Sequence, residues 1–538
     1  MLDKIFCAMI DCSRNAVMKV TQVLKFIDYL SDMGYNALML YTEDTFLVDD
    51  EPMFGYLRGS YSHEELTEIV NYGEQKGIEV IPCIQTLAHL NSIFKWNLEY
   101  GKINDFNDIL LIGEDRTYQL IENIFKSIRK CFKSNRVHIG MDEAHMVGLG
   151  KYLDKHGYQN RFEILSNHLK KVVEIATKYK FSPIMWSDMY FRMQSNGNYY
   201  NPNIVVDDTL INQIPEEVSL VYWDYHNTNQ KVYEDMIDTH KKFKRDVWFA
   251  GGVWSWVGFT PGTSHTEFTL NQAMKVCKEK NISNVIVTLW ADDGKECSFF
   301  ACLDSLLKAK MIYDGEDLNL FEEKFKSITQ IDYQTYKLLL LPNLVCGNDN
   351  SVYHTAKLAL YNDPLVGYID SHLVLGGNLD YKKFANILKN AGEGSYFEPI
   401  FKSQYALCEV LKYKYDLGIE LREAYKSNNL SMLAKLYKRI GYCINKLNLF
   451  YKAFYELYLW ENKPYGFEIQ DIRIGGVIQR LKGIRLRIKE YLDNKVDGIP
   501  ELEEELVKIF EINRNIYIQN MWCPIWEKIV TVNVISHR

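Results

Sequence analysis

Eight short apolar runs, separated by longer amphipathic segments, occupy the first 310 or so residues of this 538-residue chain. Each run is rich in Val, Ile, Leu, Met or aromatic residues, as are strands buried on both faces of a parallel sheet. The runs read IFCAMID, ALMLYT, EVIPCI, RVHIGMD, SPIMWSD, VSLVYWD, VWFAGGVWS and NVIVTLWAD. Between them, segments such as HEELTEIVNYGEQKG repeat apolar residues at helical spacing. Eight such units predict a (β/α)8 barrel, with a doubly wound open sheet as the alternative.

The pattern changes beyond about residue 315, where strand-like runs become scarce and long helical periodicities take over. SMLAKLYKRIGYCINKLNLFYKAFYELYLWEN is typical of this part. We therefore predict an α/β (β/α)8 TIM barrel over residues 1–315, followed by a mostly α-helical C-terminal domain over residues 316–538. The helical surface is expected either to pack on the barrel or to form a homodimer.

The bulk composition narrows the partners and the compartment. The net charge of −8 and the pI near 5.9 argue against a nucleic-acid partner, whose phosphates require a basic surface. No apolar run approaches the roughly 20 residues of a membrane helix, so no membrane partner is expected. Eleven cysteines without C-x-x-C spacing indicate reduced thiols and a cytoplasmic protein.

Two adjacent carboxylates, Asp142 and Glu143 in RVHIGMDEAH, follow the fourth apolar run. Asp-Glu-Ala-His is also the letter pattern of a helicase box, but the sequence has no G-x-x-x-x-G-K-[ST] phosphate loop. A metal site built from His138, Asp142 and His145 is not favoured, because the H-E-x-x-H helix pattern is missing. The sequence predicts neither a metal nor a cofactor.

Charged and aromatic residues cluster at the carboxyl ends of the predicted strands, which converge on one mouth in a barrel. Carboxylates, one arginine and several tryptophans suit a sugar, because charged groups bind hydroxyls and aromatic planes cover the apolar ring faces. Taken singly, each tryptophan is more simply a core residue and each acid a solvated loop end. Five of the chain's ten tryptophans fall in the set, which favours a sugar site. Its members are Asp11, Arg14, Glu43, Asp44, His89, Asp142, Glu143, Trp186, Asp188, Tyr222, Trp223, Asp224, Trp254, Trp256, Trp290 and Asp292.

These motifs resemble those of glycoside hydrolase family 20, the β-N-acetylhexosaminidases. HIGMDE is similar to the family's H-x-G-x-D-E signature, and Arg14 in DCSRN resembles its sugar-binding arginine. His89 in PCIQTLAHL takes the place of the histidine in a Pro-Gly-His loop, while MWSD, VYWD and LWADD resemble the later substrate strands. The resemblance covers roughly residues 1–310. It departs from the family pattern at Ala88 for Gly, Met189 for Glu and Asp292 for Glu.

The resemblance implies an exo-acting β-N-acetylhexosaminidase that removes terminal β-linked GlcNAc or GalNAc from a carbohydrate. Glu143 would be the general acid and then the base, Asp142 would orient the 2-acetamido group, and Tyr222 would donate to the acetamido oxygen. The remaining residues would bind the sugar or support the acid. Those expected to bind the sugar are Arg14, Trp186, Asp224, Trp254, Trp256, Trp290 and Asp292, and those expected to support the acid are Asp44, His89 and His138.

The adjacency of the two acids bears on the mechanism. Successive residues of a strand point to opposite faces, so Asp142 and Glu143 are not expected to face each other across about 5 Å as nucleophile and acid. We therefore expect substrate-assisted retaining hydrolysis, in which the acetamido oxygen attacks C1 and forms an oxazolinium intermediate. The alternatives are a non-catalytic sugar-binding protein on a degenerate barrel, or a retaining glycosidase of other specificity with Asp292 or Asp293 as nucleophile.

Overall fold

The computed structural model describes residues 4–292, 294–345, 355–373 and 375–507. The described residues fall into two compact units. The first contains those within Met1–Val253, Thr266–Trp290 and Leu303–Phe321, and the second contains those within Trp254–His265, Ala291–Cys302 and Glu322–Arg538. The domain boundary after residue 315 stays a prediction.

Eight parallel strands of the first unit close into a barrel. The predicted (β/α)8 fold is confirmed, and the alternative of a doubly wound open sheet is wrong. Their order around the barrel is β1-β10-β9-β8-β7-β6-β3-β2. Strands β4 and β5 form a separate antiparallel pair. The strands are β1 (Ile5–Asp11), β2 (Ala37–Tyr41), β3 (Glu79–Cys83), β4 (Asn104–Phe106), β5 (Ile109–Leu110), β6 (Arg136–His138), β7 (Ser182–Trp186), β8 (Ser219–Trp223), β9 (Val247–Gly252) and β10 (Asn284–Leu289).

Helices alternate with the barrel strands along the chain, and local sequence signals fix several of their ends. Ser62 and Glu65 form a reciprocal capping box at the start of α2, and Gly34 ends α1 in the left-handed conformation that glycine adopts readily. The helices up to residue 314 are α1 (Val20–Met33), α2 (His63–Gln75), α3 (Asn91–Phe94), α4 (Asn97–Tyr100), α5 (Asp115–Cys131), α6 (Lys151–His156), α7 (Arg161–Lys178), α8 (Asp188–Arg192), α9 (Asp208–Asn212), α10 (Gln230–Lys241), α11 (Thr263–Glu279) and α12 (Leu303–Asp314).

The apolar runs are buried on both faces because strands and helices both cover them. Every residue of β1 and β10 is buried, and the two strands pair in parallel from Ile5↔Asn284 to Ile10↔Leu289. On its other side, β1 pairs with β2, where Ile10 lies opposite Leu40. Burial on both faces explains why these runs read as continuous rather than alternating hydrophobic sequence.

The second unit is helical in the residues described beyond 320, as predicted. Its longest helix, α19, buries Leu433, Leu436, Ile440 and Leu447 at the three- and four-residue spacing seen in the sequence. The helices are α13 (Phe321–Thr329), α14 (Tyr333–Tyr336), α15 (Thr355–Tyr361), α16 (Gly377–Leu388), α17 (Glu398–Lys414), α18 (Leu417–Lys426), α19 (Leu430–Glu461), α20 (Glu468–Leu492) and α21 (Pro500–Glu503).

Two features bear on the predicted surroundings of the protein. Among the described residues, no helix combines the length and the apolar character needed to cross a membrane. The nine cysteines that lie in the described ranges are buried thiols. The cytoplasmic location stays a prediction.

Candidate active site

The fourth barrel strand is shorter than its apolar run, and this changes the expected geometry of the two acids. Strand β6 ends at His138, so Asp142 and Glu143 lie in the loop after it rather than on the strand. The loop bends through positive φ values at Gly140 (70°), Met141 (70°) and Glu143 (50°). Such backbone is uncommon outside glycine and costs of order 1–3 kcal/mol per residue, so the surrounding contacts must hold it in place.

Asp142 is a buried carboxylate with partners on both oxygens. Gln85 donates from Nε2 to Oδ1 at 3.0 Å, and His89 Nε2 lies 3.1 Å from Oδ2. Burial opposes charge on both groups, but their mutual attraction outweighs it. The Asp142 carboxylate raises the pKa of His89 to about 10, and the His89 imidazolium holds the pKa of Asp142 below its ordinary value. The site therefore contains a fixed buried anion next to a cation.

Glu143 is the more accessible of the two acids, with 42% of its side chain exposed. Its Oε2 lies 3.9 Å from His89 Nε2, and its Oε1 lies 3.4 Å from Arg192 Nη2. Both carboxylates therefore approach the same imidazole nitrogen. The prediction that they point to opposite faces is wrong, because the strand has already ended and the positive φ of Glu143 turns its side chain back toward His89.

Asp188 and Arg192, at the two ends of α8, complete the surroundings of Glu143. Asp188 Oδ2 accepts from the Glu143 backbone N–H at 3.1 Å and from Arg192 Nε at 2.9 Å. Burial and the nearby charge of Asp142 raise the pKa of Asp188 to about 7. Sequence reasoning placed Asp188 at a strand end but missed Arg192, although an Asp and an Arg four residues apart on a helix is a recognisable pairing signal.

The three residues predicted to support the acid occupy different places. His89, with φ of 58°, lies 3.1 Å from Asp142 Oδ2 and 3.9 Å from Glu143 Oε2. Asp44 pairs with Arg58 at 3.2 Å, and its support of the acid stays a prediction. His138 is buried, its Nδ1 accepts from the Gly140 N–H at 3.1 Å, and burial lowers its pKa to about 3. It fixes the loop as a neutral imidazole.

Aromatic side chains line the barrel beside the acids. Trp186 and Trp290 are buried, with ring centroids 6.3 Å apart. The His138 ring packs on Trp186 at 4.4 Å, and Tyr41 meets Trp290 edge-on at 4.8 Å. The Tyr41 hydroxyl also accepts from Gln85 Nε2 at 3.0 Å, the same nitrogen that bonds Asp142. Trp290, one of the tryptophans predicted to bind the sugar, is thus linked to Asp142 through Tyr41 and Gln85.

Arg14 lies on the same side of the barrel as Trp290. Its Nε pairs with Asp11 at 2.9 Å, its Nη1 lies 3.6 Å from Glu43 Oε1, and its guanidinium lies 5.9 Å from the Trp290 ring. Burial raises the pKa of Glu43 to about 7, and the Arg14 charge opposes that rise. Glu43, noted at the end of the second strand but given no role, is therefore a further candidate for binding sugar hydroxyls.

Tyr222 and Asp224, both predicted to contact the substrate, bond to each other. The Tyr222 ring packs against Tyr233 and His240 of α10, and its hydroxyl donates to Asp224 at 2.6 Å. Asp224 is buried and also accepts from the Asn227 side chain at 2.7 Å. Tyr222 therefore faces the helix layer, and Asp224 fixes the loop after β8. These contacts lie within the protein, and the predicted substrate roles of both residues stay predictions.

Tyr225, one residue beyond Asp224, has contacts that Tyr222 lacks. Its ring stacks on Trp223 at 5.4 Å and lies 6.5 Å from the Trp290 ring. Sequence reasoning missed this tyrosine because the family-like Tyr-x-Asp spacing directed attention to Tyr222. We regard Tyr225 as the better candidate for a tyrosine at the substrate.

The other predicted sugar-binding residues belong to the second unit. Trp254 and Trp256 pack with ring centroids 4.6 Å apart, both largely buried. Asp292 is exposed, and Asp293 lies outside the described residues. Their proposed parts in binding or catalysis stay predictions. Within the described ranges, no three His, Cys, Asp or Glu side chains cluster as a metal site.

A parallel eight-stranded barrel with an accessible carboxylate, a buried ion pair and aromatic walls at its strand ends has the architecture of a carbohydrate-processing barrel. The chain belongs to glycosyl hydrolase family 20, whose catalytic-domain model matches residues 7–336. A second model, the Glycoside Hydrolase 20C C-terminal domain, matches residues 334–517. The resemblance inferred from HIGMDE and the strand-end residues is thereby confirmed.

Relatives and solved structures carry related names. The chain is 25% identical over 170 residues to a probable beta-hexosaminidase of Arthroderma benhamiae, covering 27% of this chain and 28% of that protein. It is 22% identical over 220 residues to hexosaminidase D of Homo sapiens, covering 39% and 43%. A β-N-acetylhexosaminidase structure from Bacteroides fragilis is similar at 19% identity and a TM-score of 0.47, covering 62% of this chain and 71% of that chain. The chain spans less than half the length of the two named relatives. Its membership of the family follows from the catalytic-domain model that matches residues 7–336.

Proposed function

We propose that the protein is an exo-acting β-N-acetylhexosaminidase that removes terminal β-linked GlcNAc or GalNAc by substrate-assisted retaining hydrolysis. The observation that carries the proposal is the difference in burial and bonding between the adjacent acids Asp142 and Glu143. Asp142 is buried, with Gln85 bonded to Oδ1 and His89 ion-paired with Oδ2, whereas Glu143 is accessible. One acid is built to stay in place as an anion and the other to exchange a proton with a ligand.

In the first step, the 2-acetamido oxygen of the sugar attacks C1 as the bond from C1 to the leaving oxygen breaks. Glu143 gives its proton to that oxygen, and Asp142 accepts a hydrogen bond from the acetamido N–H, which gains positive character. In the second step, water attacks C1 and the C1–oxazolinium oxygen bond breaks. Glu143 takes the proton from water and returns to its starting state.

The surrounding residues suit this sugar. Trp186 and Trp290 offer apolar surface for the acetamido methyl group, next to the carboxylate that binds its N–H. Arg14 and Glu43 offer charged groups for the outer hydroxyls on the Trp290 side. The His89 imidazolium balances the negative charge of Asp142 at Oδ2, while Gln85 bonds the other oxygen, Oδ1.

Hydrolysis of paired aryl glycosides tests the function. We expect release of phenolate from an aryl β-N-acetylglucosaminide or β-N-acetylgalactosaminide but not from the matching β-glucoside or β-galactoside, because only the acetamido sugars carry the nucleophile. Equal rates on both kinds of sugar would favour a retaining glycosidase of other specificity. Binding without turnover of either would favour the non-catalytic sugar-binding alternative.

The tyrosine that serves the acetamido oxygen is testable with a thiazoline mimic of the bicyclic intermediate. We expect Tyr225→Phe to weaken mimic binding by about 1.5–3 kcal/mol, the value of a hydrogen bond to a charged group. Tyr222→Phe is the matched control, since its hydroxyl bonds Asp224 within the helix layer. Isothermal titration of both variants decides the point: a loss confined to Tyr222→Phe would restore the role first assigned to that residue.

A further inference from the structure

Two cations lie near the Glu143 carboxyl group, Arg192 and His89. His89 also pairs with Asp142, so Arg192 is the one that serves Glu143 alone of the two acids. Its Nη2 lies 3.4 Å from Glu143 Oε1, while His89 Nε2 approaches the other oxygen, Oε2, at 3.9 Å. The Arg192 contact is a hydrogen bond, whereas 3.9 Å is beyond hydrogen-bonding distance, so only Oε1 is bonded. A carboxyl group free to rotate presents either oxygen to a ligand, whereas one bonded at a single oxygen does not.

The guanidinium itself is firmly held. Its Nε pairs with Asp188 at 2.9 Å, and its Nη1 donates to the Gly197 carbonyl at 3.1 Å. The rings of Tyr199 and Trp223 each lie 5.6 Å from its central carbon. These contacts use two of the three nitrogens and leave Nη2 to reach Glu143.

The same aspartate also fixes the backbone of the acid. Asp188 Oδ2 accepts from both the Glu143 N–H and Arg192 Nε. Asp188 is fully buried at the start of α8, and Arg192 lies one helical turn further on. Backbone and carboxylate of Glu143 are thus tied to a single rigid element, as the positive φ of Glu143 requires.

From this geometry we propose that Arg192 is a positioning residue, anchored by Asp188, which engages Glu143 Oε1 and so leaves Oε2 to carry the catalytic proton. The proposal rests on the function proposed above and adds the selection of one oxygen to it. The proton on Oε2 passes to the leaving oxygen as the glycosidic bond breaks, and Oε2 takes a proton from water in the second step. Arg192 itself exchanges no proton.

Leaving-group dependence separates positioning from general structural support. We expect Arg192→Met to reduce kcat/KM by about 10- to 100-fold on a substrate with a poor leaving group, the cost of a misplaced catalytic group. The loss should be much smaller on a dinitrophenyl glycoside, whose departure needs little protonation. Arg161→Met is the matched control, because Arg161 holds the same loop through the His145 and Val147 carbonyls without touching Glu143. Any loss of kcat/KM in Arg161→Met should be the same on good and poor leaving groups.

The pH profile gives a second readout. The charged and titratable groups around Glu143 are Asp142, His145, His89, Asp188 and Arg192. A nearby positive charge favours the ionised form of a carboxyl group, so loss of the Arg192 charge should move the alkaline limb of kcat/KM to higher pH in Arg192→Met. Arg192→Lys should move it back toward the wild-type position, because the positive charge returns.

The outcomes distinguish the inference from the function on which it rests. Equal losses of Arg192→Met on good and poor leaving groups, or an unmoved alkaline limb, would overturn the positioning role while the wild type remains an active hexosaminidase. A wild-type protein that leaves even the dinitrophenyl N-acetylglucosaminide intact would overturn the function, and the inference with it. If circular dichroism shows Arg192→Met to be unfolded, Arg192→Gln and Arg192→Lys carry the same comparison.

Discussion

Replacing Glu143 by glutamine is expected to reduce hydrolysis of a substrate with a poor leaving group by about 10² to 10⁴-fold, the usual contribution of general acid–base catalysis. The amide has nearly the shape of the carboxyl group but cannot deliver a proton. Sugar binding and the circular-dichroism spectrum should persist, because the Glu143 contact with Asp188 uses its backbone N–H. Wild-type turnover in this variant would remove Glu143 from the mechanism.

A comparison with the adjacent acid sharpens this result. A dinitrophenolate leaving group should partly restore the first step in Glu143→Ala, since that group departs without protonation. Asp142→Asn should not be restored, because Asp142 is proposed to act on the acetamido group and its charge is also the counter-ion of His89. If both variants respond alike to the leaving group, the two acids do not divide the work as proposed.

The barrel was predictable from sequence because it depends on a simple physical requirement. Strands covered by helices on one face and by the barrel core on the other must be apolar throughout, and all eight apolar runs contain a barrel strand. The placement of Trp186, Trp290, Arg14 and His89 at one mouth was likewise predictable, because the carboxyl ends of parallel strands meet there. Their roles stay predictions. Strand order and burial fixed the positions of these side chains.

The predictions failed where backbone conformation departs from strand geometry. The run RVHIGMD looks continuous, but the chain leaves the strand after His138 and turns through positive φ at Gly140 and Met141. The turn also requires glycine at position 140, because a Cβ there would overlap the Gln85 side chain that bonds Asp142. A hydrophobic pattern contains no record of such a turn.

The direction of the Tyr222 side chain also could not be predicted from the sequence. Residues of a strand alternate between the barrel interior and the helix layer, and the sequence of an all-apolar run does not say which parity faces inward. Arg192, and a role for Glu43, escaped sequence analysis for a related reason. Their value lies in distances to Glu143 and Arg14, which are remote in sequence and become close only through the packing of α8 and β2.

The identity of the nucleophile is the central claim, and a series of N-fluoroacetyl substrates tests it most directly. Fluorine withdraws electron density from the acetamido oxygen and weakens it as a nucleophile. If that oxygen attacks C1, kcat/KM should fall steeply from the acetyl to the mono-, di- and trifluoroacetyl glycoside. A thiazoline mimic of the intermediate should also bind far more tightly than free N-acetylglucosamine, since a site complementary to the transition state binds its analogues best.

An ordinary retaining mechanism predicts the opposite. Asp142 and Glu143 both lie within 4 Å of His89 Nε2, so the two carboxylates are close together. Direct attack on C1 by a carboxylate is therefore the competing mechanism. In that case the fluorine series would be nearly flat, and mass spectrometry of the quenched enzyme would find a glycosyl ester on an Asp or Glu. Substrate-assisted hydrolysis predicts a steep decline with each fluorine and no ester, and a flat series or a trapped ester would contradict it.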